Sequence, residues 1–167
     1  LSALDKNYKK SPTPIHYCND KSIIGSDFYI MERIRGTVLR SNNYKKILTD
    51  KTKYNFIASE FVDTLVELHK LNIEKIGLKG FGRPEGYSSR QVHGWTKRYE
   101  NSKTSDIPEI NSVIKWLHEN ITESKYVSLI HNDFKYDNLV LDSNNLSVKS
   151  VLDWEMCTTG DPFMDLG

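Results

Sequence analysis

Ser128–Gly167 reads SLIHNDFKYDNLVLDSNNLSVKSVLDWEMCTTGDPFMDLG, and this stretch decides the fold. His131 and Asp133 form an H-x-D, Asn138 follows the Asp by five residues, and Asp153 ends an apolar run. Asn138–Asp142 and Ser147–Leu152 are β-rich, separated by the turn formers Ser143, Asn144 and Asn145, so they predict a hairpin. Its first strand starts at Asn138 and its second ends at Asp153, which places both residues at one end of a small ribbon. The apolar run Val127–Ile130 delivers Asp133 to the same neighbourhood as a buried segment. Taken singly, each Asp or Asn beside a turn reads as a cap or an Asx-turn. Taken together in this strand context, they read as a site.

The polar skeleton H-N-D-x-x-x-x-N followed by D-W-E matches that of kinases, H-R-D-x-x-x-x-N followed by D-F-G. Phosphoryl transfer needs one carboxylate to meet the incoming hydroxyl. It also needs an amide oxygen and a second carboxylate to hold Mg²⁺ against nucleotide phosphates. Asp133 takes the first role, and Asn138 with Asp153 the metal. Lys135 is placed to neutralise charge on the transferred group, against the alternative of an exposed loop lysine. His131 reads as scaffolding for the loop rather than as a base. Asp161 and Asp165, in G-D-P-x-x-D, are expected to accept backbone N–H bonds and brace the catalytic loop.

Phe28–Gly36 (FYIMERIRG), Gly80–Trp95 (GFGRPEGYSSRQVHGW), His131–Leu139 (HNDFKYDNL) and Val151–Gly167 together resemble the aminoglycoside phosphotransferase/choline kinase group of protein-kinase-like small-molecule kinases. Within that group the chain is most similar to the phosphotransferase domain found in, or beside, acyl-CoA dehydrogenases. The resemblance implies an α+β, protein-kinase-like fold, truncated. Residues 1–36 would be the remnant of an N-lobe, with its last strands and hinge, and 37–167 a mainly helical C-lobe, incomplete at its C-terminus. It also implies ATP and Mg²⁺ as cofactors, with Met31, Glu32 and Arg33 as the hinge that meets adenine. The acceptor would be a hydroxylated small molecule, with a hydroxyacyl-CoA suggested, and the parent would be fused to or associated with an acyl-CoA dehydrogenase. Arg83, Arg90, Gln91, Trp95 and Arg98 become substrate-contact candidates, weighed evenly against bonding the connector to the lobe. Glu155 replaces the Gly of D-F-G, as in many small-molecule kinases, and would reach a second metal or water. Asn132 stands where the group commonly has Gly; Asn tolerates left-handed φ, so the turn should survive.

The 167 residues suffice for one domain with a core, and 23 Lys and Arg against 22 Asp and Glu leave a net charge of +1. That balance suggests no nucleic-acid partner. No apolar run approaches the ~20 residues of a membrane span, and no secretory signal opens the chain, so a cytoplasmic setting is expected. Cys18 and Cys157 match no metal spacing. Ser11–Pro14 should be extended, Ile15–Cys18 and Phe28–Ile34 strands, and Tyr44–Leu48 a short helix. Lys53–Leu71 should be a longer helix whose stripe is Ile57, Phe61, Leu65 and Leu68, widened by Val62 and Val66. His69 is assigned a structural role. Gly80, Gly82 and Gly86 superficially suggest a phosphate loop, but they follow the hinge and lack Gly-Lys-Ser/Thr, so they predict a turn-rich connector into helix Ser88–Tyr99. Asp106–Pro108 starts another helix, whose Ile110, Val113, Ile114 and Leu117 read as core.

Nothing before Phe28 supplies the Gly-rich loop, strand lysine and helix glutamate of a kinase N-lobe. The chain therefore reads as a fragment that does not turn over ATP alone. Two rival readings stand beside the enzyme. One is a non-catalytic kinase-fold binding or regulatory module, against which the intact Asp133, Asn138 and Asp153 count. The other is a metal hydrolase built on H-x-D, for which His16, His69, His93 and His118 show no suitable pairing.

Overall fold

A computed structural model describes residues 1–166. Strand β1 (Pro14–Cys18) pairs antiparallel with β2 (Phe28–Met31), Cys18 opposite Phe28 and His16 opposite Ile30, with an irregularity between Pro14 and His16. The turn predicted between them contains one helical turn, α1 (Lys21–Ile24). Asp20 caps it by accepting from Ser22 N at 2.9 Å. Helix α2 (Tyr44–Ile47) follows, then α3 (Lys51–His69), which begins where Asp50 Oδ1 accepts from Lys53 N at 3.0 Å. Helices α4 (Tyr87–Ser102) and α5 (Pro108–Glu119) come next. The remaining strands are β3 (Ser128–Ile130), β4 (Leu139–Leu141), β5 (Val148–Val151) and β6 (Thr158–Gly160). β4 and β5 form the predicted hairpin, Leu139 opposite Val151. β3 pairs with β6, a strand absent from the sequence reading because Thr158-Thr159-Gly160 is too short to show alternation.

Helix α3 organises the core. Its Ile57, Leu65 and Leu68 pack with Leu4, Tyr8, Leu39, Leu48 and Leu129, and with Leu139, Leu141, Val148, Val151 and Trp154 from the hairpin and the turn after it. The first residues are fixed to this core by polar bonds as well. Tyr8 Oη donates to Thr64 O (3.1 Å), and Lys10 O accepts from Val151 N (2.7 Å). The leading segment therefore seats on α3 and β5, whereas the β1–β2 ribbon leaves Ile15, Tyr17, Tyr29 and Ile30 exposed.

Two expectations are corrected. Val62 and Val66 do not widen the α3 stripe; both are exposed, and Thr64 is the buried residue. On a 3.6-residue period Thr64 falls between Ile57, Phe61, Leu65 and Leu68, while Val62 and Val66 turn off that face. The stripe on α5 is not core either. No residue of α5 is buried, and Val113, Trp116 and Leu117 are exposed. The helix packs against α4 alone among the elements it touches extensively, so amphipathicity there marks a face, not a buried one.

Candidate active site

The H-x-D turn hangs from β3. Ser128–Ile130 is buried, and the chain leaves it through His131, whose side chain has no exposure. His131 Nε2 donates to Leu152 O at 2.9 Å, while Nδ1 accepts from Asp133 N at 3.3 Å. The ring therefore carries its proton on Nε2 and sits edge-on to Trp154, centroids 4.9 Å apart. Burial pushes its pKa down, outweighing the Leu152 carbonyl and the carboxylates of Asp165, Asp133 and Asp153. The imidazole is thus buried, kept neutral and held by two bonds.

Asp165 closes the turn from the other side. Its side chain is fully buried and accepts three bonds: His131 N (2.9 Å) and His69 Nε2 (2.8 Å) on Oδ2, and Asn132 N (2.6 Å) on Oδ1. His69, predicted only as structural, thus anchors the brace; the sole hint in the sequence is its place at the end of the α3 stripe. Asp161 does not share the task. Its Oδ1 accepts from Phe163 N at 3.0 Å and caps its own turn, and no bond joins it to residues 131–133 among the described residues.

Asp133 lies where brace and hairpin meet. Asn138 Nδ2 donates both to Asp133 O and to Asp133 Oδ2, each at 2.8 Å, which leaves the amide Oδ1 as the open acceptor. Asn138 O in turn accepts from Leu152 N at 2.8 Å, so Asp153 is the next residue along the facing strand. Asp153 has φ 66° and ψ 59°, left-handed backbone that swings its side chain out of the ribbon into solvent. Among the described residues its carboxylate accepts no hydrogen bond and forms no ion pair. On β2, burial chiefly, then the charges of Asp153 and Glu155, push the Tyr29 phenol pKa up. A cleft of about 410 Å³ separates the ribbon from this turn, lined by His16, Tyr17, Tyr29, Trp154 and Glu155.

Lys135 Nζ sits 2.8 Å from Asp133 Oδ1 and 2.7 Å from Oδ2. That bond, aided by Asn138 and opposed by partial burial, holds the Asp133 pKa below the usual carboxylate range. The chemistry of the donors suits Mg²⁺: the Asn138 amide oxygen and the unpartnered Asp153 carboxylate are hard oxygen ligands. By contrast, no cluster of three His, Cys, Asp or Glu suited to a metal occurs among the described residues. His93 and His118 do meet edge to face, 4.6 Å apart, across α4 and α5, a pairing the sequence did not suggest.

Met31–Arg33, the segment expected to be the hinge, runs out of β2 with Glu32 and Arg33 exposed and Glu32 N donating to Thr13 O (2.8 Å). Of the candidates on α4, the Arg90 guanidinium donates to the carbonyls of Glu85 and Arg83 and so braces the connector. Arg83 is exposed, and Arg98 stacks over the Trp95 ring at 4.6 Å. Gln91 and Trp95 line a groove of about 490 Å³ between α4 and α5 with Tyr99, Ile110, Ile114 and Met164. The bond from α4 to the H-x-D turn comes from a residue not predicted, Tyr87, whose Oη donates to Asn132 Oδ1 at 3.1 Å.

Known proteins resemble this chain in sequence and fold. Human acyl-CoA dehydrogenase family member 11 is 39% identical over 156 residues, 93% of this chain and 20% of its own length. Mouse acyl-CoA dehydrogenase family member 10 is 35% identical over 155 residues, 14% of its length. The chain thus spans about one fifth or less of these relatives. A Ralstonia eutropha structure described as an aminoglycoside phosphotransferase superposes with TM-score 0.88 at 32% identity, over 99% of this chain and 50% of that one. The streptomycin–ATP complex of APH(2")-IIa, at 21% identity and TM-score 0.63, shares the fold over 95% of this chain and 52% of that one. The same aminoglycoside phosphotransferase, protein-kinase-like architecture is present here in part. The profile of the phosphotransferase enzyme family matches residues 1–167, so the chain, with its braced H-x-D turn and hairpin, belongs to that family.

Proposed function

We propose that this chain is the acceptor- and metal-binding part of an ATP- and Mg²⁺-dependent kinase that phosphorylates a hydroxyl on a small metabolite. The observation that carries the reading is the Asn138 bridge, whose amide bonds Asp133 while its carbonyl bonds the residue before Asp153. Residues 1–36 are read as the end of an N-lobe with Met31–Arg33 as hinge, and 37–167 as C-lobe. The similarity to acyl-CoA dehydrogenase family members supports a hydroxyacyl-CoA acceptor and a parent protein that carries such a dehydrogenase.

Asn138 Oδ1 and the Asp153 carboxylate would hold Mg²⁺, with Glu155 at its margin. Mg-ATP held there would supply the phosphoryl group, and the metal would offset the negative charge of the phosphates. Asp133 orients the acceptor hydroxyl and takes its proton on a carboxylate oxygen. Its depressed pKa makes it a weak base, so positioning contributes more than early proton removal, as suits a loose transition state. Lys135 is within bonding distance of Asp133 and passes to the transferred group's oxygens as charge develops there. Gln91, Trp95 and Arg98 stand along the acceptor side.

The full-length protein, given Mg-ATP and a panel of hydroxylated metabolites that includes hydroxyacyl-CoAs, is expected to form a phosphate ester. Asp133→Asn should lower kcat by about 10²–10⁴-fold and Asp153→Ala should abolish Mg²⁺-dependent turnover. A folded, full-length protein that consumes no ATP with any acceptor, or variants as active as wild type, would refute the reading.

A further inference from the structure

Asn132, one residue ahead of Asp133, holds three elements at once. Its backbone has φ 63°, a region open at low cost to Gly and Asn. Its side chain then makes two bonds that Gly lacks: Oδ1 accepts from Tyr87 Oη (3.1 Å), and Nδ2 donates to Met156 O (2.9 Å). Met156 ends the short 3₁₀ turn that Asp153 begins, and Tyr87 is the first residue of α4. The Tyr87 ring is itself immobilised. It is 6% exposed, and a Cβ at Gly160 would stand 3.1 Å from two of its carbons. Burial, the larger effect, keeps its phenol protonated and hence a donor.

We propose that Asn132 and Tyr87 are a positioning pair that fixes Asp133 relative to Asp153 and ties both to α4. The claim rests on the phosphotransferase reading above. Neither residue touches the reacting atoms. The pair acts through Asp133 and the turn at Asp153, so that an acceptor seated along α4 meets a carboxylate already aligned with the metal oxygens.

The test uses the full-length protein with Asn132→Gly, Tyr87→Phe and the double variant. Asn132→Gly preserves the positive φ, and Tyr87→Phe preserves the buried ring, so each removes hydrogen bonds with little else. Should Asn132→Gly fail to fold, Tyr87→Phe carries the test. Each single variant is expected to lower kcat by about ten- to a hundredfold while KM for nucleotide stays within about twofold. The double should be no worse than the more damaged single, because both remove one linkage. Thermal melting should remain close to wild type. Wild-type turnover with unchanged variant kcat, a loss confined to melting temperature, or multiplicative effects in the double would each overturn the pair and leave the kinase reading intact. Absence of turnover by wild type overturns both.

Discussion

Asp165→Ala should be among the most damaging single changes in the chain, and Asp161→Ala, four residues earlier in the same motif, one of the milder. The Asp165 side chain is fully buried and accepts from two backbone N–H groups and the His69 ring. Removing it strands three donors, two of them on His131 and Asn132. Each buried, unmet donor costs about 1–3 kcal/mol, and stripping one partner from a buried network costs about 3–5 kcal/mol in all, since the losses are not additive. Asp161 accepts one bond at the start of a 3₁₀ turn, a cap of about 1 kcal/mol. With a urea slope of about 2 kcal/mol/M, the midpoint should fall by about 1.5–2.5 M for Asp165→Ala and about 0.5 M for Asp161→Ala. Trp154, buried and 4.9 Å from the His131 ring, is the natural fluorescent reporter. Asp165→Asn should lie near Ala, because its amide would point an N–H at one of the same donors. Equal midpoints for the two alanine variants would refute the brace.

Gly82→Ala should destabilise more than Gly80→Ala in the same unfolding measurement. Both glycines have positive φ, but a Cβ at Gly82 would lie 2.3 Å from Thr158 Oγ1 and 2.8 Å from Thr159 N, whereas at Gly80 it meets open space. The Gly80 change should cost about 1 kcal/mol of backbone strain alone, and Gly82 at least 1 kcal/mol beyond that. Lys135→Met should raise the Asp133 pKa toward the ordinary ~3.9, read by carboxyl NMR titration. The sign follows from linkage: a depressed folded-state pKa adds stability above the unfolded carboxylate value and loses it as pH falls through the folded one, so the variant should lose its acid tolerance at a higher pH. An unmoved Asp133 titration would show that the lysine contact is not what depresses it.

The elements legible in the sequence are those whose pattern and packing coincide. Helix α3 is visible because Ile57, Phe61, Leu65 and Leu68 repeat on one face that is in fact the core, and the β4–β5 hairpin because short Leu/Val runs flank the turn formers Ser143–Asn145. Helix α5 was equally visible as a helix, yet its stripe misled about burial. Periodicity reports which face is apolar and is silent on what covers it. β6 carries almost no signal of its own; it is a strand because Thr158–Gly160 finds β3, a tertiary cause. Within the candidate site, spacing alone singles out Asp133, Asn138 and Asp153 as the residues proposed to act. It does not single out His69 and Tyr87, because they are linked to the turn only through space, over 96 and 45 residues.

The aspartates of the motif show how one side chain is sorted into different tasks by what surrounds it. Asp165, sealed and saturated with donors, can only hold. Asp161 meets one local N–H and serves its own turn. Asp133 is partly open and shared between Lys135 and Asn138, so a competing hydroxyl or phosphate oxygen can enter at the lysine side without unmaking the loop. Asp153 is exposed at left-handed φ with no partner among the described residues. That costly backbone persists only because Asn138 O and Trp154 Nε1, which donates to Val151 O, lock the strand on either side. The proposed chemistry needs no movement of His131, Asn138 and Asp165, which are buried and bonded, and falls to Asp133 and Asp153, with Asn132 joining the two sets.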